Sequence, residues 1–277
     1  MTQFIQAQNL SLAWLAGLEH LLNCGGKDTN VIVEIGKAGE EDKRIRQLLD
    51  EFLVERSAYK KGFFPVTTVA NTLFPQAFYY PQRGDNARSF LYQMQEQSFA
   101  ITKRLQANRY GTYFQRMVAW PGKQKNVNQI EAIIRRLSKA SNNPNCLSSA
   151  YEIGISGVEE EEESDEAQTE EIRIYQPGGD GRIMGFPCLS HISLTFFKKE
   201  LHLTVLYRNQ HFIRKAYGNY LGLSRLLLFL CQEIGCEPGT IVCVASHADA
   251  ELSFGKRAIT TLVQQCRSVL TAKQAAV

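Results

Sequence analysis

A long apolar run, an apolar leader and a regular cysteine pattern are all absent from this sequence. The longest strongly apolar run, residues 226–231, is far shorter than the roughly 20 residues that span a bilayer. The first ten residues, MTQFIQAQNL, contain neither the basic nor the apolar segment of a secretory signal. Seven cysteines, an odd number at irregular spacing, do not form a disulfide framework. We therefore expect a cytoplasmic protein with reduced thiols and no membrane association.

The composition is that of a globular protein, which excludes a wholly disordered or fibrous chain: 44% of the 277 residues are hydrophobic and 21% are charged. The net charge of +3 hides an uneven distribution, because residues 159–171 contain nine acidic and no basic residues. Without these nine, 19 acidic residues face 31 lysines and arginines, a net charge of +12. This remainder favours an anionic partner such as a nucleotide phosphate or nucleic acid, although evenly solvated lysines would give the same sum. The acidic stretch, residues 157–171, predicts a flexible surface loop.

The spacing of apolar residues predicts a chain of helices and short strands. Helical patterns cover residues 9–23, 42–55, 85–107, 127–140, 219–234 and 263–273. Strand-like runs cover residues 31–35, 172–175, 191–197, 201–207 and 241–245. Helices combined with a mixed or antiparallel sheet predict an α+β fold.

Three blocks of short motifs follow one another over about residues 63–255. The main block runs from Pro187-Cys188 through two strands ending in Leu-Tyr-Arg, a loop ending at Asn219, a buried helix, Gly239 and a polar stretch from His247 to Glu251. A second block contains Tyr110-Gly111, Arg116, Ala119-Trp120-Pro121, Asn128-Gln129-Ile130, Asn143-Pro144-Asn145 and Ser149-Ala150-Tyr151. A third, weaker block is Phe64-Pro65 followed by Val66-Thr67-Thr68. The order and spacing of these motifs resemble those of the thymidylate synthase family.

The resemblance implies one large domain with the thymidylate synthase fold, assembled as a homodimer. Residues 63–277 would form the core, and residues 1–62 would be integrated in it or packed on it. The implied substrate is a pyrimidine nucleotide or nucleoside, and the implied cofactor is methylene-tetrahydrofolate. A protein partner is possible for the segment at residues 1–62, which matches no motif of the family.

Cys188 occupies the position of the family's nucleophile. In this chemistry a thiolate adds to C6 of the pyrimidine, which makes C5 nucleophilic enough to accept a one-carbon unit, and the thiol then leaves. From composition alone, a cysteine beside a strand is more often an inert core residue. The resemblance therefore assigns the catalytic role to Cys188.

Further site residues are implied by the same motifs. The resemblance assigns substrate contacts to Tyr110, Tyr207, Arg208, Asn219, His247 and Asp249. A side-chain amide at Asn219 can pair with O4 and N3–H of uracil, although Asn is also a favoured helix N-cap. His247, Asp249 and Glu251 alternate and would share one face of an extended chain. They are consistent with a polar pocket wall, a solvated loop or, since all three are acceptable ligands, a metal site.

The chain also departs from the family's pattern. Leu189 stands where the family has a histidine, and Arg208 is offset by one residue from the phosphate-binding arginine, which in a strand points a side chain to the opposite face unless a bulge re-aims it. The two arginines that reach across the family's dimer interface are absent from residues 145–148. No glutamate that could relay protons occurs between Thr68 and Glu96. Arg182, Arg214 and Lys215 are candidate replacements for the lost cations, or ordinary surface charges.

The sequence is compatible with three functions. One is an enzyme that transfers a one-carbon unit to C5 of a pyrimidine through Cys188. The alternative is a non-catalytic thymidylate-synthase-like subunit that binds a nucleotide or acts as a scaffold. A nucleic-acid-binding module is the weakest hypothesis, because no RRM, KH or helix-turn-helix signature accompanies the basic residues.

Overall fold

The computed structural model describes residues 2–57, 63–104, 108, 111–122, 125–141, 170–174 and 187–274. Tyr110, Arg182 and the predicted turn at residues 142–145 lie outside these ranges. Most of the acidic stretch also lies outside them, but Glu170 and Glu171 belong to a strand.

The elements are mixed along the chain. The helices are α1 (Leu10–Asn23), α2 (Lys43–Ser57), α3 (Val66–Leu73), α4 (Ala87–Thr102), α5 (Tyr113–Val118), α6 (Gln129–Ser141), α7 (Tyr217–Ile234) and α8 (Lys256–Gln274). The strands are β1 (Gln3–Asn9), β2 (Lys27–Lys37), β3 (Trp120–Pro121), β4 (Asn126–Val127), β5 (Glu170–Arg173), β6 (Leu189–Phe197), β7 (Glu200–Tyr207), β8 (Gln210–His211) and β9 (Glu237–Asp249). A π-helix, Phe212–Ala216, directly precedes α7. This mixture of helices and strands is compatible with the predicted α+β class.

Every predicted helix and strand overlaps an observed element of the same type. The start of α1 shows why local signals suffice here. The side-chain Oδ1 of Asn9 accepts hydrogen bonds from the backbone N–H groups of Ser11 and Leu12, both at 3.1 Å, so that Asn9 is the N-cap. The patterns missed β1, α3, α5 and the two-residue strands β3, β4 and β8, which are short or lie at the edge of a stronger pattern.

The chain divides into two compact units that alternate along the sequence. Unit 1 comprises Met1–Phe74, Val205–Leu226 and Thr240–Val277, and unit 2 comprises Pro75–Thr204 and Leu227–Gly239.

Unit 1 combines a mixed sheet with helices. Strands β1 and β2 are parallel, and α1 provides the connection between them. Strand β9 pairs antiparallel with β2, and the short β8 pairs parallel with β9. The core on this sheet includes Trp14, Leu15 and Leu18 of α1, all fully buried. The indole N–H of Trp14 donates to the carbonyl oxygen of Phe212 at 2.8 Å, which fixes the π-helix against α1.

Unit 2 combines strands β5, β6 and most of β7 with α4, α5 and α6. Strand β5 pairs antiparallel with β6, and β7 follows β6 in the sheet after a two-residue turn. Lys198 and Lys199 in this turn both have positive φ, at 50° and 67°, as tight hairpin turns require. The Gln129 side chain accepts from the Arg173 backbone N–H at 2.8 Å and donates to the Arg116 carbonyl at 3.2 Å, so it joins α5, α6 and β5.

A search of the helices in the described ranges finds none that is both long and apolar enough to cross a membrane.

Candidate functional site

Cys188 lies directly before β6 in unit 2 and is half-buried. Its neighbours Pro187 and Leu189 place it at the point where the chain enters the sheet, and the residue as a whole keeps some exposure to solvent. A position of this kind suits a nucleophile, because a fully buried thiol cannot meet a substrate.

Tyr113, the first residue of α5, lies close to Cys188. Burial raises the pKa of Tyr113, and the charge of the Cys188 sulfur raises this pKa further, while backbone hydrogen bonds from Leu189 and Cys188 lower it. The hydroxyl group therefore stays protonated at neutral pH and is available as a hydrogen-bond donor. The buried guanidinium of Arg116 also acts on Tyr113 and donates to the Ile174 carbonyl at 2.9 Å.

Three other described cysteines have the properties of structural thiols. Cys243 and Cys266 are fully buried, and burial raises the pKa of each thiol, that of Cys266 to about 12. Cys231 is buried, and a hydrogen bond with Cys236 is the largest cause that raises its pKa. Such thiols carry no thiolate at neutral pH and are not nucleophiles.

Unit 1 contains a connected group of polar side chains, here called the polar cluster: Asn209, His211, Arg214, His247, Asp249 and Glu251. The Asn209 amide lies between two imidazoles, 2.9 Å from Nδ1 of His247 and 3.3 Å from Nε2 of His211. Nδ1 of His211 lies 3.7 Å from Oε1 of Glu251. The parallel pairing of β8 with β9, which sets His211 opposite Asp249, brings the two chain segments together.

Glu251 anchors this cluster to the start of the π-helix. Its Oε2 accepts the backbone N–H groups of Ile213 at 3.1 Å and Arg214 at 2.9 Å, and its Oε1 accepts from Nε of Arg214. The Glu251 side chain is only 3% exposed. A carboxylate at a helix N-terminus is stabilised by the amide groups and the helix dipole. Glu251 itself has a φ of 58°, and Asp249 accepts its N–H at 2.6 Å.

His211 is surrounded by charge of both signs. Desolvation is the largest cause that lowers the pKa of His211, and the neighbouring side chains of Arg214 and His247 lower it further. The negative charges of Glu251 and Asp249 oppose this shift. The pKa of His211 is lowered overall, so the ring favours the neutral form and can accept or donate a proton.

A buried amide and a buried hydroxyl next to the polar cluster have no hydrogen-bond partner of ordinary geometry in the described part of the chain. They are the side chain of Gln210, which is 1% exposed, and the hydroxyl of Tyr220, which is fully buried. The two groups lie close to each other, since the Gln210 amide is one of the causes that act on the pKa of Tyr220. Burying such groups without a partner costs free energy, so they are candidates for contact with a ligand or an internal water.

The other residues to which the sequence assigned substrate contacts do not form one described group in the structure. Tyr207 is fully buried at the end of β7, and Arg208 lies in the bend that follows, where strand alternation no longer fixes its direction. Asn219 is buried at the third position of α7 and is not an N-cap, because the π-helix already leads into this helix. Tyr110 lies outside the described residues.

These contacts bear on two alternatives that the sequence left open: whether Arg214 replaces a lost phosphate-binding arginine, and whether His247, Asp249 and Glu251 form a metal site. Arg214 is paired with Glu251, and its guanidinium also lies 5.9 Å from the ring centre of Phe254. It is therefore not a free phosphate-binding cation. Within the described ranges, the donors of His247, Asp249 and Glu251 do not converge as a metal-ligand group.

Sequence reasoning missed Tyr113, Asn209, Gln210, His211 and Tyr220. Polar residues between Tyr207 and Phe212, directly after a buried strand, were the available signal for three of them. No local signal identified Tyr113, because its proximity to Cys188 depends on how α5 packs beside β6.

Most of the chain resembles several archaeal proteins. No protein-family model matches the chain. A Methanosarcina mazei protein named "Putative thymidylate synthase" is 25% identical over 249 residues, which cover 89% of this chain and 88% of the relative. Proteins of the same name from Methanosarcina barkeri and Methanococcoides burtonii are 24% and 23% identical over 246 residues, again 89% of this chain and 88% of each relative. These similarities support a divergent thymidylate-synthase-like protein.

Proposed function

We propose that this protein transfers a one-carbon unit to C5 of a pyrimidine nucleotide or nucleoside, with Cys188 as the nucleophile. The observation that carries the proposal is the position of Cys188, which is half-buried, lies directly before β6 and is close to the hydroxyl group of Tyr113. Similarity to proteins named as thymidylate synthases supports the choice of reaction.

Tyr113 and Arg116 would assist Cys188. A hydrogen bond from a phenol and the field of a nearby guanidinium both favour the thiolate, which is the nucleophilic form. The Cys188 sulfur then forms a bond to C6 of the pyrimidine, and the electron pair of the C5–C6 double bond moves to C5 and O4. After C5 has accepted the new carbon, loss of the C5 proton restores the double bond and expels the thiolate.

Unit 1 contains, within itself, groups of the kind that recognise a nitrogen heterocycle. The buried amides of Asn219 and Gln210 and the hydroxyl of Tyr220 offer donors and acceptors for such a ring. The same donor set fits a pyrimidine or the pteridine of a folate. Methylene-tetrahydrofolate, the cofactor that the resemblance implies, would supply the one-carbon unit when bound. His211, with its lowered pKa, is suited to move a proton.

A second candidate is a thymidylate-synthase-like subunit that binds a nucleotide without turnover. It is favoured by the pairing of Arg214 with Glu251, since this leaves one candidate replacement cation unavailable for a 5′-phosphate. On this hypothesis the polar groups of unit 1 bind a ligand and Cys188 forms no bond to it.

Release of tritium from C5-labelled pyrimidines tests the proposal. The substrates are dUMP, UMP, dCMP, CMP and the nucleosides, each with and without methylene-tetrahydrofolate. We expect release by the wild type, loss of release in Cys188→Ser, and retention in the matched variant Cys236→Ser. Binding of a nucleotide by calorimetry, with no release from any substrate, would replace the enzyme with the non-catalytic subunit.

A Tyr113→Phe variant separates positioning from chemistry. If the hydroxyl group stabilises the thiolate, alkylation of Cys188 by iodoacetamide should shift to higher pH in this variant, together with tritium release. An alkylation profile identical to that of the wild type would contradict the role of Tyr113.

A further inference from the structure

Three side chains with metal-ligating atoms meet where α1 ends and β2 begins. His20 lies in the last turn of α1, Cys24 is its C-cap residue, and Asp28 is the second residue of β2. Nε2 of His20 lies 2.7 Å from Oδ2 of Asp28 and 3.6 Å from Sγ of Cys24. All three donor atoms lie within 4.8 Å of one another. None of these three residues belongs to the polar cluster, and none of them belongs to the site at Cys188.

The turn between the two elements explains why these side chains converge. Gly25 and Gly26 have φ values of 80° and 100°, a region that glycine adopts without strain. The N–H of Gly26 donates to the Leu21 carbonyl at 2.7 Å, and the N–H of Cys24 donates to the His20 carbonyl at 3.0 Å. These bonds close the helix end and return the chain toward His20, so that Asp28 reaches it.

The geometry distinguishes a metal site from a catalytic relay. In a relay, the imidazole uses one ring nitrogen for the nucleophile and the other for the carboxylate. Here the Cys24 sulfur is nearer to Nε2, the nitrogen that already faces Asp28, than to Nδ1, at 3.6 and 3.8 Å. Tetrahedral Zn²⁺ separates a sulfur and a nitrogen ligand by about 3.5 Å. Metal binding would therefore leave the distance between Sγ of Cys24 and Nε2 of His20 almost unchanged, and would lengthen the distance between His20 and Asp28 by roughly 0.6 Å.

The surroundings also favour a cation. The other carboxylate oxygen of Asp28, Oδ1, accepts the N–H of Thr29 at 2.8 Å, and such a hydrogen bond orients a carboxylate for metal binding. The site stands at the C-terminus of α1, where the helix dipole stabilises positive charge. Cys24 is exposed and provides a path for entry.

We propose that His20, Cys24 and Asp28 bind a divalent transition metal, with Zn²⁺ as the ion that the ligand set suits best. A nitrogen, a thiolate and a carboxylate are the ligands that zinc accepts, and water completes the tetrahedron. Binding releases the thiol proton of Cys24 to solvent and involves no change of oxidation state.

The metal site would also stiffen the turn that supports Glu251. The carbonyl of Gly26 accepts the N–H of Ala250 at 2.8 Å. A Cβ atom on Gly26 would lie 2.5 Å from a methyl carbon of Leu252, so the turn is packed closely against the residues that flank Glu251. The proposed ion is thus structural, and it would act on the polar cluster by fixing the position of the residues that flank Glu251.

Titration of chelator-treated, reduced full-length protein with Co²⁺ tests the proposal. Co²⁺ takes the place of Zn²⁺, and bonding to a thiolate gives a charge-transfer absorption band in the near ultraviolet. We expect one equivalent to bind, with that band, and to be displaced by Zn²⁺. The Cys24→Ser variant should lose the band, whereas the control variant Cys236→Ser should keep it.

Affinity measurements on the other two ligands complete the test. Removal of an outer-shell partner already weakens metal binding by about 10–100-fold, so His20→Gln and Asp28→Asn should each weaken it by at least that factor. Circular dichroism verifies that the variants are folded. Equal affinity in the wild type and all three variants, or Co²⁺ binding in the wild type without the thiolate band, would overturn the proposal.

Discussion

Truncation of Glu251 is expected to destabilise unit 1 strongly, because this carboxylate satisfies several groups at once. In Glu251→Ala the N–H groups of Ile213 and Arg214 lose their acceptor, at about 1–3 kcal/mol for each buried donor. Loss of the ion pair adds about 0–1 kcal/mol only, since Arg214 is 38% exposed and can turn to water. We expect the free energy of unfolding to fall by about 2–7 kcal/mol in total.

The alanine variant isolates the side chain from the backbone. Alanine bears the same penalty as glutamate at a φ of 58°, because both carry a Cβ atom. Glu251→Gln keeps an oxygen that can accept the two N–H groups and should recover at least half of the loss.

Urea denaturation followed by circular dichroism measures these differences. The matched control is Glu200→Ala, a glutamate that is 52% exposed and 3.6 Å from His202, for which we expect a change within about 0.5 kcal/mol. A loss below about 1 kcal/mol in Glu251→Ala would refute the reasoning, since two buried donors cannot lose their acceptor at so little cost.

Three further predictions concern other parts of unit 1. The pKa of His211 is lowered in the folded state, so the unfolded chain takes up the proton at a higher pH than the folded chain does. The contribution of His211 to stability should therefore be complete above about pH 6.5 and should fall as the pH decreases below that value. Urea midpoints at pH 7.5 and 5.5 should show this loss in the wild type, and an equal loss in His211→Gln would contradict the prediction. Tyr220→Phe removes a buried hydroxyl that has no hydrogen-bond partner of ordinary geometry among the described residues, so thermal unfolding should show unchanged or increased stability, and a loss above about 1 kcal/mol would contradict this prediction. Gly222→Ala would place a Cβ atom 2.7 Å from Cβ of Leu73 and should cost about 1–3 kcal/mol by overpacking; Gly36→Ala, whose Cβ would lie 3.6 Å or more from its neighbours, is the control, and equal urea midpoints for the two variants would contradict the close contact.

Local patterns were sufficient for most helices and strands. The helix at Leu10–Asn23 follows from an Asn9 cap, apolar residues at helical spacing and a glycine pair after its end. These signals act over a few residues and require no knowledge of distant contacts. The sequence also identified Cys188, Asn219, His247 and Asp249 as candidates, through the order of motifs along the chain.

The tertiary structure decided which of these residues meet. Asn209 and His211 join His247 and Glu251 because β8 pairs in parallel with β9, which brings together segments almost 40 residues apart in the sequence. The register of such pairing depends on the whole sheet and has no local signature.

Composition and short-range spacing thus determined the class of elements and the list of reactive residue types. Only tertiary packing decided that Tyr113 lies at Cys188, that Arg214 is committed to Glu251, and that His20, Cys24 and Asp28 converge. The reason is physical: periodicity and capping are set by neighbours within one or two turns, whereas the contacts of a site depend on burial and pairing across the fold.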